Sequence, residues 1–369
     1  MASRSDRHRG GHPATGSLLG AAVVAGAVVG WQLGGGRPPP AAPETVAVPA
    51  PMPRTTPALR PAIPEPAALP RARQAAESPV CGWDPGAEGD VDPTAPASLP
   101  SALRARTLDA LDARMMSDPD SAVQAAGLLI AARTRPAQRR ERIEQLARLA
   151  TSRRDTRLYA LAEEGCREAE DDGASACRLL EPAQWAQLAP ADVVPWLTLA
   201  EAARARGDPA AEDDAMYHAA RARLVDRQPA LVPSLVGQAL KDAPPHALIR
   251  TLGLAAGWKV QAGWSWSSTA EAMHYCMADD RVLTDGERAA TCDELARVLA
   301  LARDSPIELA TAHAIGVRLH WPPDRLEILS LRMAASGQAA RRRNVALDLS
   351  CRGVDAAQAS LGEAASVAP

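Results

Sequence analysis

Apolar residues recur at helical spacing along the chain from about residue 100 onward. The spacing i, i+3, i+4, i+7 places an apolar stripe on one face of a helix. It is clearest in three sets: Ile143, Leu146, Ala147 and Ala150; Trp196, Leu199, Ala200 and Ala203; and Leu295, Val298, Leu299 and Ala302. Strands favour short alternating runs of β-branched and aromatic residues, and no convincing run of that kind is present. The pattern predicts an all-α domain.

Helix start signals divide this pattern into short helices. A capping Ser, Thr or Asp stands before a proline, or three positions before a glutamate, as expected for the first turn of a helix. These signals occur at Asp118-Pro119, Asp208-Pro209, Thr284 with Glu287, and Ser305-Pro306-Ile307-Glu308. Most connections between the predicted helices are short, so neighbouring helices are expected to pack as antiparallel hairpins.

The most informative stretch covers residues 190–222, within a helical region at about residues 182–222. A helix with Trp196 near its start is followed by Gly207-Asp208, and the next helix carries a row of alanines: Ala211, Ala215, Ala219 and Ala222. This arrangement resembles a tetratricopeptide (TPR) repeat, with an aromatic residue on the first helix and small residues at the helix crossing. The resemblance implies antiparallel hairpins stacked as an irregular TPR-like α-solenoid, with a concave surface that binds proteins or peptides. It carries over no individual binding residue.

The N-terminal region sets the predicted compartment. Residues 10–36 contain no Asp, Glu, Lys or Arg, and their apolar centre covers residues 18–33. A membrane span needs about 20 residues, which residues 15–35 provide. Arg4, Arg7 and Arg9 precede this span, so the N-terminus is expected in the cytoplasm and the rest of the chain outside it. A cleaved signal peptide is the alternative, and it also exports the rest of the chain.

These features predict five segments and a single-pass protein of the inner (cytoplasmic) membrane. The segments are a cytoplasmic N-terminus at 1–14, a transmembrane helix or uncleaved signal anchor at 15–35, a Pro-rich disordered linker at 36–80, a periplasmic or extracytoplasmic helical domain at 81–352 and a disordered tail at 353–369. Frequent prolines prevent a helix in the linker and favour an extended spacer. Small residues four positions apart in the span predict a homodimer through Ala22, Gly26, Gly30 and Gly34.

The amino-acid composition agrees with an all-α domain, and the charge bears on the choice of partner. Alanine supplies much of the 47% apolar content, aromatic residues make up 3%, and phenylalanine is missing. Alanine is the best helix former, so this bias agrees with an all-α domain. The net charge of −3 provides no general attraction for nucleic acid, and no nucleic-acid partner is predicted.

Six cysteines lie beyond the predicted span, and an even number in an exported chain favours disulfides. Fifteen connectivities are possible. Two pairs each flank a predicted turn, at Asp171-Asp172-Gly173 and at Thr284-Asp285-Gly286, and the other two cysteines lie at the edges of the domain. The predicted pairs are Cys166–Cys177, Cys276–Cys292 and Cys81–Cys351. Isolated buried thiols and a metal site are the alternatives, although the close ligand spacing of common zinc sites is missing.

Sequence motifs for nucleophilic, zinc-peptidase or phosphate chemistry are also missing, so no catalytic residue, metal or cofactor is predicted. One cluster stands out: Trp258, Trp264 and Trp266 lie among glycines and serines, a composition typical of a loop. Exposed tryptophans would favour binding of a peptide, a glycan or a protein. The alternative is that these rings fill the gap between two helical units.

The leading functional prediction is a protein–protein interaction or assembly module in the cell envelope, which binds another envelope protein or a peptide. The alternative is an envelope enzyme whose site is assembled from dispersed residues near Trp258, Trp264, Trp266 and His274. A purely structural spacer is a third possibility. A broad groove without convergent titratable groups would favour the module, whereas a pocket lined by histidine or carboxylates would favour the enzyme.

Overall fold

The computed structural model describes residues 80–84, 99–168, 175–226, 228, 230–264, 267–278, 280–303, 305–344 and 348–366. Within these ranges the chain forms fifteen α-helices and no β-strand, which confirms the all-α prediction. No helix of the described ranges is both long and apolar enough to cross a membrane. The expected span at 15–35, its small-residue face (Ala22, Gly26, Gly30 and Gly34) and nearly all of the linker lie outside these ranges.

The helices are numbered here in chain order. The first seven are α1 (Ser101–Met116), α2 (Ser121–Thr134), α3 (Arg139–Arg153), α4 (Thr156–Glu168), α5 (Pro182–Leu188), α6 (Val193–Ala205) and α7 (Pro209–Ala219). The remaining eight are α8 (Leu231–Ala239), α9 (Leu248–Ala262), α10 (Ser267–Met277), α11 (Arg281–Thr284), α12 (Gly286–Leu299), α13 (Pro306–Arg318), α14 (Pro323–Asn344) and α15 (Cys351–Ser366). Short 3-10 helices at Pro136–Gln138 and Ser175–Leu179 precede α3 and α5.

The turn between α6 and α7 forms as the sequence predicts. Asp208 accepts a hydrogen bond from the Ala211 amide (3.1 Å), and Pro209 is the first residue of α7. Gly207 adopts a φ of 70°, a left-handed conformation that glycine reaches without a Cβ penalty. The predicted helical hairpin is therefore present as α6 and α7.

Two predicted caps lie one or two residues away from the observed ones. Asp120 caps α2 by accepting from the Ala122 amide, whereas Asp118 binds the Asp120 amide instead. Asp285, not Thr284, caps α12. In both cases the capping carboxylate lies next to the first turn, where its charge also interacts favourably with the helix dipole. The remaining predicted cap, Ser305, makes no side-chain cap hydrogen bond, although Pro306 does begin α13.

Alanine and leucine fill most of the core, and two of the predicted stripes are buried at every position: Ile143, Leu146, Ala147 and Ala150; and Leu295, Val298, Leu299 and Ala302. The third stripe is rotated. On α6 the buried residues include Leu197, Ala200 and Ala203, whereas Trp196 and Leu199 are only half-buried. The small alanines allow close packing of α6 on α7, and the larger indole is displaced to the edge of this contact.

The helices pack partly in chain order. Each of α1 to α4 packs on the next, α12 packs on α13, and α13 packs on α14. Helices α8 and α9 break this order because they return to α1 and α2, and α10 packs on both α6 and α13. In a regular repeat array each unit contacts only its chain neighbours. The return of α8 and α9 therefore ties the beginning of the helical domain to its middle.

Three disulfides are present, and they join the pairs that the sequence predicted. Cys166 near the end of α4 is bonded to Cys177 in the following 3-10 helix. Cys276 on α10 is bonded to Cys292 on α12, across the short α11. Cys81 is bonded to Cys351, the first residue of α15. This last bond joins the first and last described segments of the chain.

The prediction of a disordered tail from residue 353 is wrong for most of its length. Helix α15 continues to Ser366, and Val354 and Ala357 are buried. Ala357 packs with Trp258 and Ala230, and α15 as a whole packs on α8 and α9. Its few large apolar residues gave little sign of burial in the sequence, because small residues provide the contact.

Candidate functional site

The predicted tryptophan cluster is divided by the fold. Trp258 lies within α9, is only 8% exposed and packs with Ala230 and Ala357, so its assignment to a loop is wrong. Trp264 follows the end of α9, is half-buried and packs against the main core. Trp266 lies outside the described residues. Trp258 therefore fills space between helices, as the alternative interpretation of the cluster expected.

A glycine explains why this segment looked like a loop. Gly257 lies inside α9, where an added Cβ would stand only 3.1 Å from the Pro233 Cα on α8. The residue is needed for close approach of the two helices, not for a turn. Glycine has both uses, and the sequence does not distinguish between them.

His274 belongs to a region that is rich in charged side chains, where α6 and α10 meet. One turn before it, Glu271 is 1% exposed, and its two carboxylate oxygens accept hydrogen bonds from Arg204 Nε at 2.8 and 3.0 Å. Burial raises the pKa of Glu271 and outweighs the opposing effect of Arg204. The hydrogen bond to Glu271 raises the pKa of Arg204, so this guanidinium stays charged.

Further ion pairs extend this region across α2, α4 and α6. Arg133 lies 2.8 Å from the buried Glu164, and Arg167 lies 3.8 Å from both Glu164 and Glu201. Arg133 also donates to the Val260 carbonyl near the end of α9. Together with Arg204 and Glu271, these residues alternate in charge. We call the set of six the charged junction: Arg133, Glu164, Arg167, Glu201, Arg204 and Glu271. It crosslinks helices that are distant in the sequence.

Tyr275 joins α10 to α7 and α12 beside this junction. Its hydroxyl donates to Asp213 at 2.7 Å, and Arg288 donates to its backbone carbonyl while lying 3.9 Å from its ring centroid. Burial, with the neighbouring Asp213, raises the pKa of Tyr275 far above its ordinary value of 10.0. The phenol therefore stays protonated at neutral pH and acts as a hydrogen-bond donor. These groups near His274 form structural contacts between helices, and His274 itself is exposed.

A different surface, on the α6–α7 hairpin, combines the half-buried Trp196 ring and the exposed His218 and Tyr217 rings with a cation. Trp196 and His218 stack with their ring centroids 4.5 Å apart and their planes at 17°. Tyr217 meets His218 edge-on at 5.6 Å, and the Arg221 guanidinium carbon lies 3.3 Å from the Tyr217 ring centroid. We call these four residues the aromatic platform. Tyr217 is 46% exposed.

Hydrogen bonds hold the aromatic platform in place. Trp196 Nε1 donates to the Pro190 carbonyl (3.1 Å), and Arg221 donates to the Tyr217 carbonyl (3.1 Å). Arg221 follows the C-terminus of α7, where the helix dipole favours a positive charge. An ordered surface of this kind loses little conformational entropy when it binds a partner.

The sequence contains a signal for this platform, although it forms no recognised motif. Trp196 lies near the start of α6, and Tyr217-His218 lies near the end of α7. An antiparallel hairpin brings these two positions together. The predictions treated Trp196 as a repeat position and left His218 without an assigned function, so the pair was not considered as one surface.

The chain was compared with protein-family models, with curated proteins and with solved structures, and none of the three comparisons finds a match.

Proposed function

We propose that this chain is a non-enzymatic interaction module, which recognises another protein of the cell envelope through the aromatic platform. Trp, Tyr and Arg contribute most to binding energy at protein interfaces, and three of the four platform residues are of these types. The platform offers flat apolar faces beside a guanidinium. The partner that fits it is a protein segment with an apolar side chain next to a carboxylate.

The proposal includes the position of the domain. Residues 15–35 anchor the chain in the inner membrane, residues 36–80 act as a spacer, and the helical domain lies outside the cytoplasm. The three disulfides support this arrangement, because such bonds persist mainly in oxidising compartments. We further propose that the hairpins form an irregular TPR-like stack around α6 and α7. The small residues where α6 crosses α7 support this likeness.

The recognition proposal is tested by site-specific crosslinking in the native host. A benzophenone amino acid replaces Tyr217 in the full-length protein, and in a matched control it replaces Arg148, an exposed residue on α3. We expect a distinct protein to be captured from position 217 and not from position 148. Adding Arg221→Ser to the position-217 variant is expected to reduce that capture strongly. Identical captures at both positions would contradict the proposal.

The compartment is tested separately by the oxidation state of the cysteines. Protein taken from its native host under alkylating conditions is digested, and the cysteine peptides are identified by mass spectrometry. We expect three disulfide-linked peptide pairs. Alkylated thiols at all six positions would contradict export, without deciding whether the aromatic platform binds a protein.

A further inference from the structure

The Cys81–Cys351 disulfide lies next to a third possible metal ligand, His246. The sulfur atoms of both cysteines and a ring nitrogen of His246 all lie within 4.8 Å of one another. His246 Nε2 lies 3.3 Å from the Asp355 carboxylate, and Asp355 follows Cys351 by one turn on α15. These four residues come from three segments that are far apart in the chain, so no local sequence motif reveals them.

The backbone holds these segments together without help from the disulfide. The Cys81 amide donates to the Leu349 carbonyl (2.8 Å), and Thr251 Oγ1 donates to the Cys81 carbonyl (2.9 Å) from α9. Gly82, with a φ of 80°, packs so closely that an added Cβ would lie 2.4 Å from the His246 carbonyl oxygen. These contacts are separate from the disulfide, so we expect Cys81 and His246 to stay close together when it opens.

The cysteine on α15 is placed to act as a thiolate. Cys351 is the first residue of the helix, and Ser350 Oγ accepts a hydrogen bond from the Gly353 amide as an N-cap. A helix N-terminus stabilises a nearby negative charge, including a thiolate. Cys351 is also partly exposed, whereas Cys81 is fully buried, so a reductant reaches the bond from the α15 side.

We propose that the reduced form of this cluster is a zinc site, in which Cys81, Cys351 and His246 bind the ion, a water molecule is the fourth ligand, and Asp355 orients the imidazole. A dithiol reductant opens the disulfide: it gives up two electrons and two protons, becomes a disulfide itself and leaves two thiols. Binding of Zn²⁺ releases both thiol protons and forms two zinc–thiolate bonds. The two ends of the domain are then joined by the metal instead of the disulfide.

The ligand set and its spacing fit zinc. Structural zinc sites are tetrahedral, with zinc–sulfur bonds of about 2.3 Å and zinc–nitrogen bonds of about 2.0–2.1 Å, which puts neighbouring ligand atoms about 3.5 Å apart. Small side-chain rotations bring the sulfurs and the imidazole nitrogen to such distances after reduction. Imidazole and thiolate ligands favour zinc over calcium or magnesium.

Cobalt substitution tests this site in the full helical protein. The protein is reduced with a phosphine, and Co²⁺ is titrated while the absorption spectrum is recorded. We expect one Co²⁺ per chain, with thiolate-to-cobalt charge-transfer bands and the visible bands of a tetrahedral site. The oxidised protein is expected to show no thiolate band. Addition of Zn²⁺ is expected to displace the cobalt.

Single-residue variants separate this cluster from other sites. We expect His246→Ala to weaken Co²⁺ binding at least about tenfold, as is usual for loss of a metal-site group. His274→Ala is the control, because His274 is also an exposed histidine and lies outside this cluster. Both changes are at exposed side chains, and circular dichroism verifies that the helices are retained.

Two results would overturn the zinc proposal. One is a reduced wild-type protein without thiolate-to-cobalt bands. The other is wild-type affinity in His246→Ala or in the double variant Cys81→Ser, Cys351→Ser, because the metal would then bind elsewhere.

Discussion

Burial and ion pairing act in opposite directions on the Glu271 carboxylate. Its pKa is raised above the ordinary value of 4.5 because burial disfavours the charged form more than Arg204 favours it. The folded protein therefore holds this proton more tightly than the unfolded chain does. The resulting contribution to stability is fully present below the unfolded pKa, and it is lost as the pH rises through the folded pKa.

The variant Glu271→Gln tests this sign. Glutamine keeps a hydrogen-bond acceptor for Arg204 but cannot titrate. We expect the free energy of unfolding of the wild type, relative to this variant, to fall as the pH rises from below 4.5 to neutrality. Urea unfolding at a series of pH values measures the difference. Glu327→Gln, at an exposed site on α14, is the control. A difference that stays constant with pH would contradict the expectation.

Gly316 and Gly286 both lie in helices, but they differ in how much space surrounds them. An added Cβ at Gly316 on α13 would lie 2.6 Å from the ring of Trp321. This ring is buried, and its Nε1 donates a hydrogen bond to the Asp293 carboxylate. We expect Gly316→Ala to destabilise the protein by about 1–3 kcal/mol through this clash. Gly286→Ala, at a site with no atom within 4 Å, is expected to have no such cost. Thermal and urea unfolding of both variants provide the check, and equal stabilities would contradict the clash.

At the scale of helices, the predictions succeeded for features that depend only on residues nearby in the sequence. The stripe from Ile143 to Ala150 and the cap at Asp208 depend on residues within one or two turns, and the sequence located both. The position of Trp258 depends on a contact between α9 and α15, about 100 residues apart, so its loop assignment was wrong. The candidate sites share this difficulty, since the aromatic platform and the charged junction both form from separate helices.

The packing of helix α15 is the clearest case of a contact between residues that are distant in the sequence. We expect Ala357→Asp to destabilise the protein by about 2 kcal/mol or more, because it buries a carboxylate against Trp258. The neighbouring Ala356 is exposed, so Ala356→Asp introduces the same charge into the same helix turn without burial. Comparison of the two urea midpoints isolates the contact with Trp258. Equal midpoints would show that α15 does not depend on this contact.

For the molecule as a whole, both tertiary contacts and a disulfide connect regions that are far apart in the chain. Helices α8 and α9 pack against α1 and α2, while the charged junction connects α2, α4, α6 and α10. The Cys81–Cys351 bond then joins the first described residues to α15. The cysteine pairs were predictable because turns and domain edges limited the choice. The return of α8 and α9 was not, because hydrophobic periodicity identifies a helix face without its partner.

Removal of single disulfides tests how far each bond constrains the unfolded chain. The sequence separation is 270 for Cys81–Cys351 and 11 for Cys166–Cys177. The chain-entropy relation assigns about 5–6 kcal/mol to the first loop and about 3 kcal/mol to the second. We therefore expect the double alanine variant of Cys81 and Cys351 to lose more stability than that of Cys166 and Cys177. Urea unfolding with a metal chelator present measures both losses. An equal or reversed order would mean that native contacts, and not loop closure, determine what each bond contributes.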